Sequence, residues 1–178
     1  MAYKRKFNKK TESQKMGKIK HKKTEVDGIV FHSKMESEYY EYLKELKEQG
    51  IVKRFSLQPS FILQDKFIVV DGEIIEGSHP DFNKIKRKTK APTVQAIKYI
   101  SDFEVEYADG KIKIVDTKGQ ETADFKLKKK MFAYRYPHLE LDIIIKDKVK
   151  GWIPYDEYQK DKRNKKKENK REVSSNGS

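Results

Sequence analysis

The sequence contains no cysteine. Disulfide staples and every thiolate metal site are thereby excluded, which suits a reducing compartment. Long apolar runs are also missing, so no segment is fit to cross a membrane. The basic N-terminus lacks the apolar stretch that accompanies such charges in a signal peptide, and a cytoplasmic protein without membrane contact is expected. No shift of composition divides the 178 residues, which predicts one packed domain with ragged ends.

What the chain has in excess is positive charge, +13 net. Residues 1–23 hold ten Lys and Arg against one Glu, residues 160–172 hold eight against three acids, and the stretch between is close to neutral. Neither end can bury enough apolar surface to offset the entropy of ordering. The expected organisation is therefore a disordered basic arm at 1–23, a globular domain at 24–159 and a disordered basic tail at 160–178. Such arms supply sequence-independent phosphate contacts, and neither has an apolar face for lipid, so nucleic acid is the favoured partner.

Within the globule, "SKMESEYYEYLKELKEQG" predicts a helix capped by Ser33 and closed at Gly50, with Met35, Tyr39, Tyr42, Leu43 and Leu46 on its apolar face. Glu36 and Glu38 flank that face on opposite sides. Periodicity does not choose between them, and Glu36 also fits as the capping-box partner of Ser33. "IVKRFSLQPSFIL" reads as strand, bend at Pro59, strand. In the next segment, an insertion at 64–95, "VDGEI" signals a hairpin turn. "NKIKRKTKAPT" reads as a basic loop whose Lys84, Lys86, Arg87, Lys88 and Lys90 either contact DNA phosphates or are simply solvated.

The most informative stretch is "KYISDFEVEYADGKIKIVDTKG", residues 98–119. Two alternating runs flank Ala108-Asp109-Gly110, which matches a three-residue hairpin loop with Gly in the left-handed position. That register sets Tyr107 across from Lys111 and Asp102 directly across from Asp116; a two-residue loop would oppose Asp102 to Thr117 instead. Lys118, two residues beyond Asp116, points to the same side. Two carboxylates so placed repel each other, and hard oxygen donors of this kind call for Mg²⁺, with Mn²⁺ as a substitute.

Asp102, then Asp116-Thr117-Lys118 at the end of the next strand, after an acidic helix, resembles the PD-(D/E)XK nuclease superfamily. "SDF" stands for its first motif and "DTK" for its second. The wider pattern from "GIVFHSKMES" through "LQP", "YISDF" and "IVDTKG" to "KLKKKMFAYRYP" is similar to small phage-encoded members related to junction-resolving and transposon-end nucleases, over roughly residues 24–145. The resemblance implies an α/β, restriction-endonuclease-like αβββαβ core with a mixed central sheet. It maps the family's helix acid to Glu36, with Glu38 in reserve. Asp81, in "HPDF", spells the family's Pro-Asp but sits in a basic loop, and it is assigned to a turn. Ser101 replaces the family's common proline, and His32 stands where relatives often carry an acid.

The resemblance further implies a Mg-dependent endodeoxyribonuclease acting on branched DNA or on recombination and replication intermediates, in the host cytoplasm if phage-encoded. Its catalytic residues would be Glu36, Asp102, Asp116 and Lys118. Asp102, Asp116, the Thr117 carbonyl and Glu36 would hold the metal, with Gln58 in support and no small-molecule cofactor. A homodimer would place one site on each of two strands, with Tyr39, Tyr40 and the 64–95 insertion as candidate contacts. A non-catalytic nucleic-acid-binding protein is the alternative. Further along, "QETADFKLKKKMFAYRYP" predicts a crossover helix to a buried strand at 139–145, parallel to the DTK strand. On it, Lys126 and Lys129 share a side away from Leu127, Met131 and Tyr134, facing either DNA or solvent. "GWIPYDEYQK" predicts a short cap in which Trp152 packs.

Overall fold

The computed structural model describes residues 24–175; the arm expected at 1–23 lies outside them. The elements run β1 (Thr24–Val26), β2 (Ile29–Phe31), α1 (Lys34–Glu48), β3 (Val52–Leu57), β4 (Ser60–Gln64), β5 (Phe67–Val70), β6 (Glu73–Glu76), α2 (Phe82–Thr89), β7 (Ile97–Ile100), β8 (Phe103–Tyr107), β9 (Ile112–Thr117), α3 (Ala123–Arg135), β10 (Glu140–Asp147), β11 (Gly151–Pro154) and α4 (Tyr155–Ser175). They form a mixed α/β architecture around a five-stranded sheet of order β11-β10-β9-β8-β3. β9 and β10 are parallel, joined through α3, and the other pairs are antiparallel.

Strand alternation sorts side chains between the two faces of this sheet. Val105 and Val115 face α1, where Tyr39 and Leu43 are buried against them; Ile114, Ile143 and Ile145 face α3, where Phe125 and Phe132 close the second core with Leu63 of β4 and Tyr99 of β7. Each buried Leu, Ile or Phe contributes about 1.5–3 kcal/mol, so both faces are needed to hold the sheet. α1 is set by its ends. The Ser33 side chain accepts from the Glu36 N–H, and the chain turns out of the helix through Gly50 at φ +73. Trp152 packs edge-on against Tyr39, with centroids 4.9 Å apart. Tyr39 itself is buried, which removes it as a candidate contact surface between copies.

Three expectations are corrected. The basic stretch at 82–89 is a helix, α2, because Phe82 and Ile85 turn inward while its lysines stay exposed. The segment from 160 is not a disordered tail over its described length: α4 runs to Ser175, since Lys, Arg, Glu and Gln are good helix formers and Tyr155 and Tyr158 anchor its first turn in the core. The apolar face of α3 is Phe125, Met131 and Phe132; Leu127 and Tyr134 are 58% and 89% exposed. Leu127 and Tyr134 are spaced like Phe125 and Phe132, and the aromatic pair wins because Phe61 and Tyr99 pack on Phe132 at 5.0 and 5.6 Å.

Candidate active site

The site forms where β8 begins and β9 ends. The β8–β9 loop is the three-residue form: the Tyr107 N–H donates to Lys111 O at 2.9 Å, the Gly110 N–H donates to Tyr107 O at 3.0 Å, and Gly110 has φ +84. Phe103 therefore pairs with Val115 at the end of the ladder, and Asp102 and Asp116 are the next residue on each side of that last pair.

The two carboxylates are held differently. Asp102 Oδ2 accepts from the Thr117 N–H and from Thr117 Oγ1, both at 2.7 Å. Burial pushes its pKa up to about 7, reinforced by the negative charges of Asp116 and Glu36, although the Thr117 bonds pull the other way. Asp116 is 1% exposed. Its Oδ2 accepts from the Tyr99 hydroxyl at 2.6 Å, and its Oδ1 accepts from Lys118 Nζ at 2.7 Å. The Lys118 ammonium also lies 4.7 Å from the Phe125 ring centroid, and its backbone N–H is fixed to Ile144 O at 2.9 Å.

On the α1 side, Glu36, Gln58, Asp102, Phe31, Leu57 and Phe103 help line a cavity of about 150 Å³. Glu36 donates its N–H to Ser33 Oγ at 3.1 Å, while its Oε2 accepts from the His32 N–H at 3.2 Å rather than from the Ser33 N–H that a capping box would use. Glu38 lies elsewhere, engaged by Lys34 at 3.2 Å and Lys146 at 3.0 Å. Gln58 has φ +50, a region costly for any residue but glycine, and its N–H donates to Asp102 O at 2.9 Å. Its Nε2 lies 3.2 Å from His32 Nδ1.

Asp102 thus stands between two groups: it bonds Thr117 beside the Asp116–Lys118 pair, and it lines the cavity with Glu36 and Gln58. Lys84, Lys86, Arg87, Lys88 and Lys90 are gathered along α2 and its C-cap, exposed. Asp81 is an exposed N-cap residue of α2, consistent with a turn role. Lys126 is exposed, whereas Lys129 reaches Glu121 at 3.4 Å. Tyr99 carries no motif signal in the sequence; it reaches Asp116 because β7 pairs with β4 rather than continuing β8. Ser101, at the break between β7 and β8, is 1% exposed with its hydroxyl unpartnered.

The donors suit a hard divalent cation in kind, and the pKa of Asp102 is raised chiefly by burial, with the charges of Asp116 and Glu36 adding to it. Among the described residues no three His, Cys, Asp or Glu close on one point, since Asp116 is turned toward Lys118 and Tyr99.

Fold and site together define a mixed α/β protein with a carboxylate–lysine centre at one end of its sheet. The chain belongs to the DUF1064 family, described as a protein of unknown function, whose model matches residues 16–151. No curated protein and no solved structure matches it. The family match spans every residue of the site and ends at Gly151, so α4 lies beyond it.

Proposed function

We propose that the protein is a metal-dependent DNA endonuclease that hydrolyses phosphodiester bonds. The observation that carries this reading is the juxtaposition of Asp102, buried Asp116 and Lys118 at paired strand ends, with Glu36 across a small cavity. The order α1–β3–β8–β9–α3–β10, with β4 to β7 and α2 set aside as an insertion, supports the reading, because it is the order an αβββαβ core of the PD-(D/E)XK kind would require.

Asp102, Asp116 and Glu36, with the Thr117 carbonyl, would hold Mg²⁺ or Mn²⁺. Such a cation lowers the pKa of a coordinated water and offsets charge on the scissile phosphate. The chain's own groups do the rest. Tyr99 fixes the carboxylate of Asp116, Thr117 fixes that of Asp102, and Lys118 presents an ammonium that stabilises negative charge developing on the phosphoryl oxygens. Gln58, strained beside Asp102, supplies an amide that orients a water or a ligand in the cavity. A non-catalytic nucleic-acid-binding protein would use the basic surfaces but has no need of a carboxylate buried between a tyrosine and a lysine.

A site of carboxylates and lysine reads phosphates rather than bases, so the substrate we propose is branched DNA, recognised by shape and cut by a homodimer. The test is incubation of the pure protein with linear, nicked, forked and four-way DNA in Mg²⁺, Mn²⁺, Ca²⁺ or EDTA, with light scattering for the oligomeric state. Cleavage in Mg²⁺ and Mn²⁺, none in EDTA, and preference for branched forms by a dimer are expected. Intact DNA in every cation would reject the nuclease reading, and a monomer cutting linear duplex equally well would reject the branched-DNA reading.

A further inference from the structure

Directly after Lys118 the chain leaves the sheet and meets α4. Gly119, Gln120, Lys126, Gln159, Lys162 and Arg163 line an open groove of about 640 Å³ between them. Its two walls are tied together, since Tyr155 at the start of α4 is buried in the α3 core and its hydroxyl accepts from the Glu121 N–H at 3.4 Å.

The charge balance of this groove is positive. Lys126, Lys162 and Arg163 form no salt bridge among the described residues. Of the acids nearby, Glu121 is engaged by Lys129 at 3.4 Å, while Glu157 and Asp161 are both held by Lys150, at 2.9 and 2.8 Å. Asp156 is the remaining carboxylate on the groove, exposed and outnumbered. No atom stands within 4 Å of where a side chain on Gly119 would begin, which leaves the backbone open to close approach. Beyond the groove, Lys165, Lys166 and Lys167 extend the exposed basic surface of α4. From 162 to 167 the helix rises about 7.5 Å, the axial length of roughly two nucleotides.

We propose that this groove is the track for the sugar–phosphate backbone of one DNA strand flanking the scissile phosphate, with α4 as its electrostatic wall. The inference rests on the nuclease reading for its substrate class and adds a path to it. Cations and open backbone bind phosphates without regard to base, and the groove begins one residue from the lysine that touches Asp116.

Binding of the four-way DNA is measured in EDTA as a function of salt, which separates docking from chemistry. The Lys126→Gln/Lys162→Gln/Arg163→Gln variant, substituted at exposed positions, should lose about 10- to 100-fold in affinity near 0.1 M salt and show a log K against log[salt] slope shallower by about 3. Because the chain has no cysteine, Gln159→Cys gives a single thiol for a tethered iron chelate, and strand scission should cluster within a few nucleotides of the wild-type cleavage position. Wild-type protein that binds and cuts while the triple variant keeps full affinity and slope, or while the chelate cuts far from the cleavage position, overturns the groove and leaves the nuclease reading standing. Wild-type protein that binds no DNA overturns both. Clustered chelate cuts and a shallower slope support the groove.

Discussion

The Tyr99 hydroxyl donates a 2.6 Å hydrogen bond to Oδ2 of Asp116, a carboxylate that is 1% exposed. Burial and the adjoining negative charge of Asp116 raise the Tyr99 pKa, so the phenol stays protonated and stays a donor. Tyr99→Phe keeps the ring that packs on Phe132 but leaves one buried carboxylate oxygen without its partner. A stability loss of about 1–3 kcal/mol is expected in urea unfolding. If Tyr99 acts only through Asp116, cleavage should fall further than that loss explains, with kcat affected and DNA affinity kept. Wild-type turnover in a destabilised Tyr99→Phe protein would make the bond purely structural.

The chemistry and the affinity should separate. On the proposed function, Asp102→Asn, Asp116→Asn and Lys118→Ala are each expected to reduce cleavage on the order of a thousandfold while DNA binding persists, because the affinity would come from basic surfaces elsewhere. Glu36→Gln should impair cleavage more than Glu38→Gln, since Glu36 lines the cavity with Asp102 and Glu38 is engaged by Lys34 and Lys146. Asp81→Asn should leave activity near that of the wild type. A dead Asp81→Asn beside an active Asp102→Asn would move the site into the insertion.

Much of this site was legible because strand alternation and one glycine carry it. Gly110 dictates the loop, the loop dictates the register, and the register brings Asp102 and Asp116 together. Ser33 and Gly50 mark the ends of α1 in the same local way. The less legible parts depend on contacts between distant segments. Tyr99 looks like any residue of an alternating strand until β7 turns to pair with β4. The face of α3 is ambiguous until Phe61 and Tyr99 are placed against it. In α4 the lysines that favour helix also mimic the composition of a disordered tail, and only the buried Tyr155 distinguishes the two. The turn Asp27-Gly28 forms the β1–β2 hairpin with the same Val-Asp-Gly signal that marks β5–β6, yet a three-residue strand on either side gives alternation too little length to register.

Gln58 offers a test of strain held for function. At φ +50 a glycine is accommodated without the steric cost that Gln bears, about 1–2 kcal/mol, partly offset by its greater freedom when unfolded. Gln58→Gly is therefore expected to be at least as stable as the wild type by thermal unfolding, while Gln58→Val, branched at Cβ, should be less stable by roughly 1–2 kcal/mol. If the amide orients a reactant in the cavity, the stable Gln58→Gly protein should cleave more slowly. Full activity in that variant would assign Gln58 a turn role only.

The raised pKa of Asp102 makes stability depend on pH with a definite sign. The group ionises near 3.8 when unfolded and near 7 in the native protein, so between those values the native state holds the extra proton. Stability from this residue is full below about pH 4 and is lost as pH rises through 7, the reverse of a salt-bridged carboxylate. The loss should be roughly 2–4 kcal/mol, read from urea midpoints at pH 5 and pH 8 in EDTA. Asp102→Asn, which cannot ionise, should flatten that dependence and exceed the wild type in stability at pH 8. Adding Mg²⁺ should act in the opposite direction, restoring stability to the wild type most at pH 8, where its ligands are deprotonated, by about 2.7 kcal/mol at a hundredfold excess over its dissociation constant. The Asn variant should respond much less. A wild-type protein whose stability is indifferent to both pH and Mg²⁺ would mean that Asp102 is neither raised by burial and like charge nor a metal ligand.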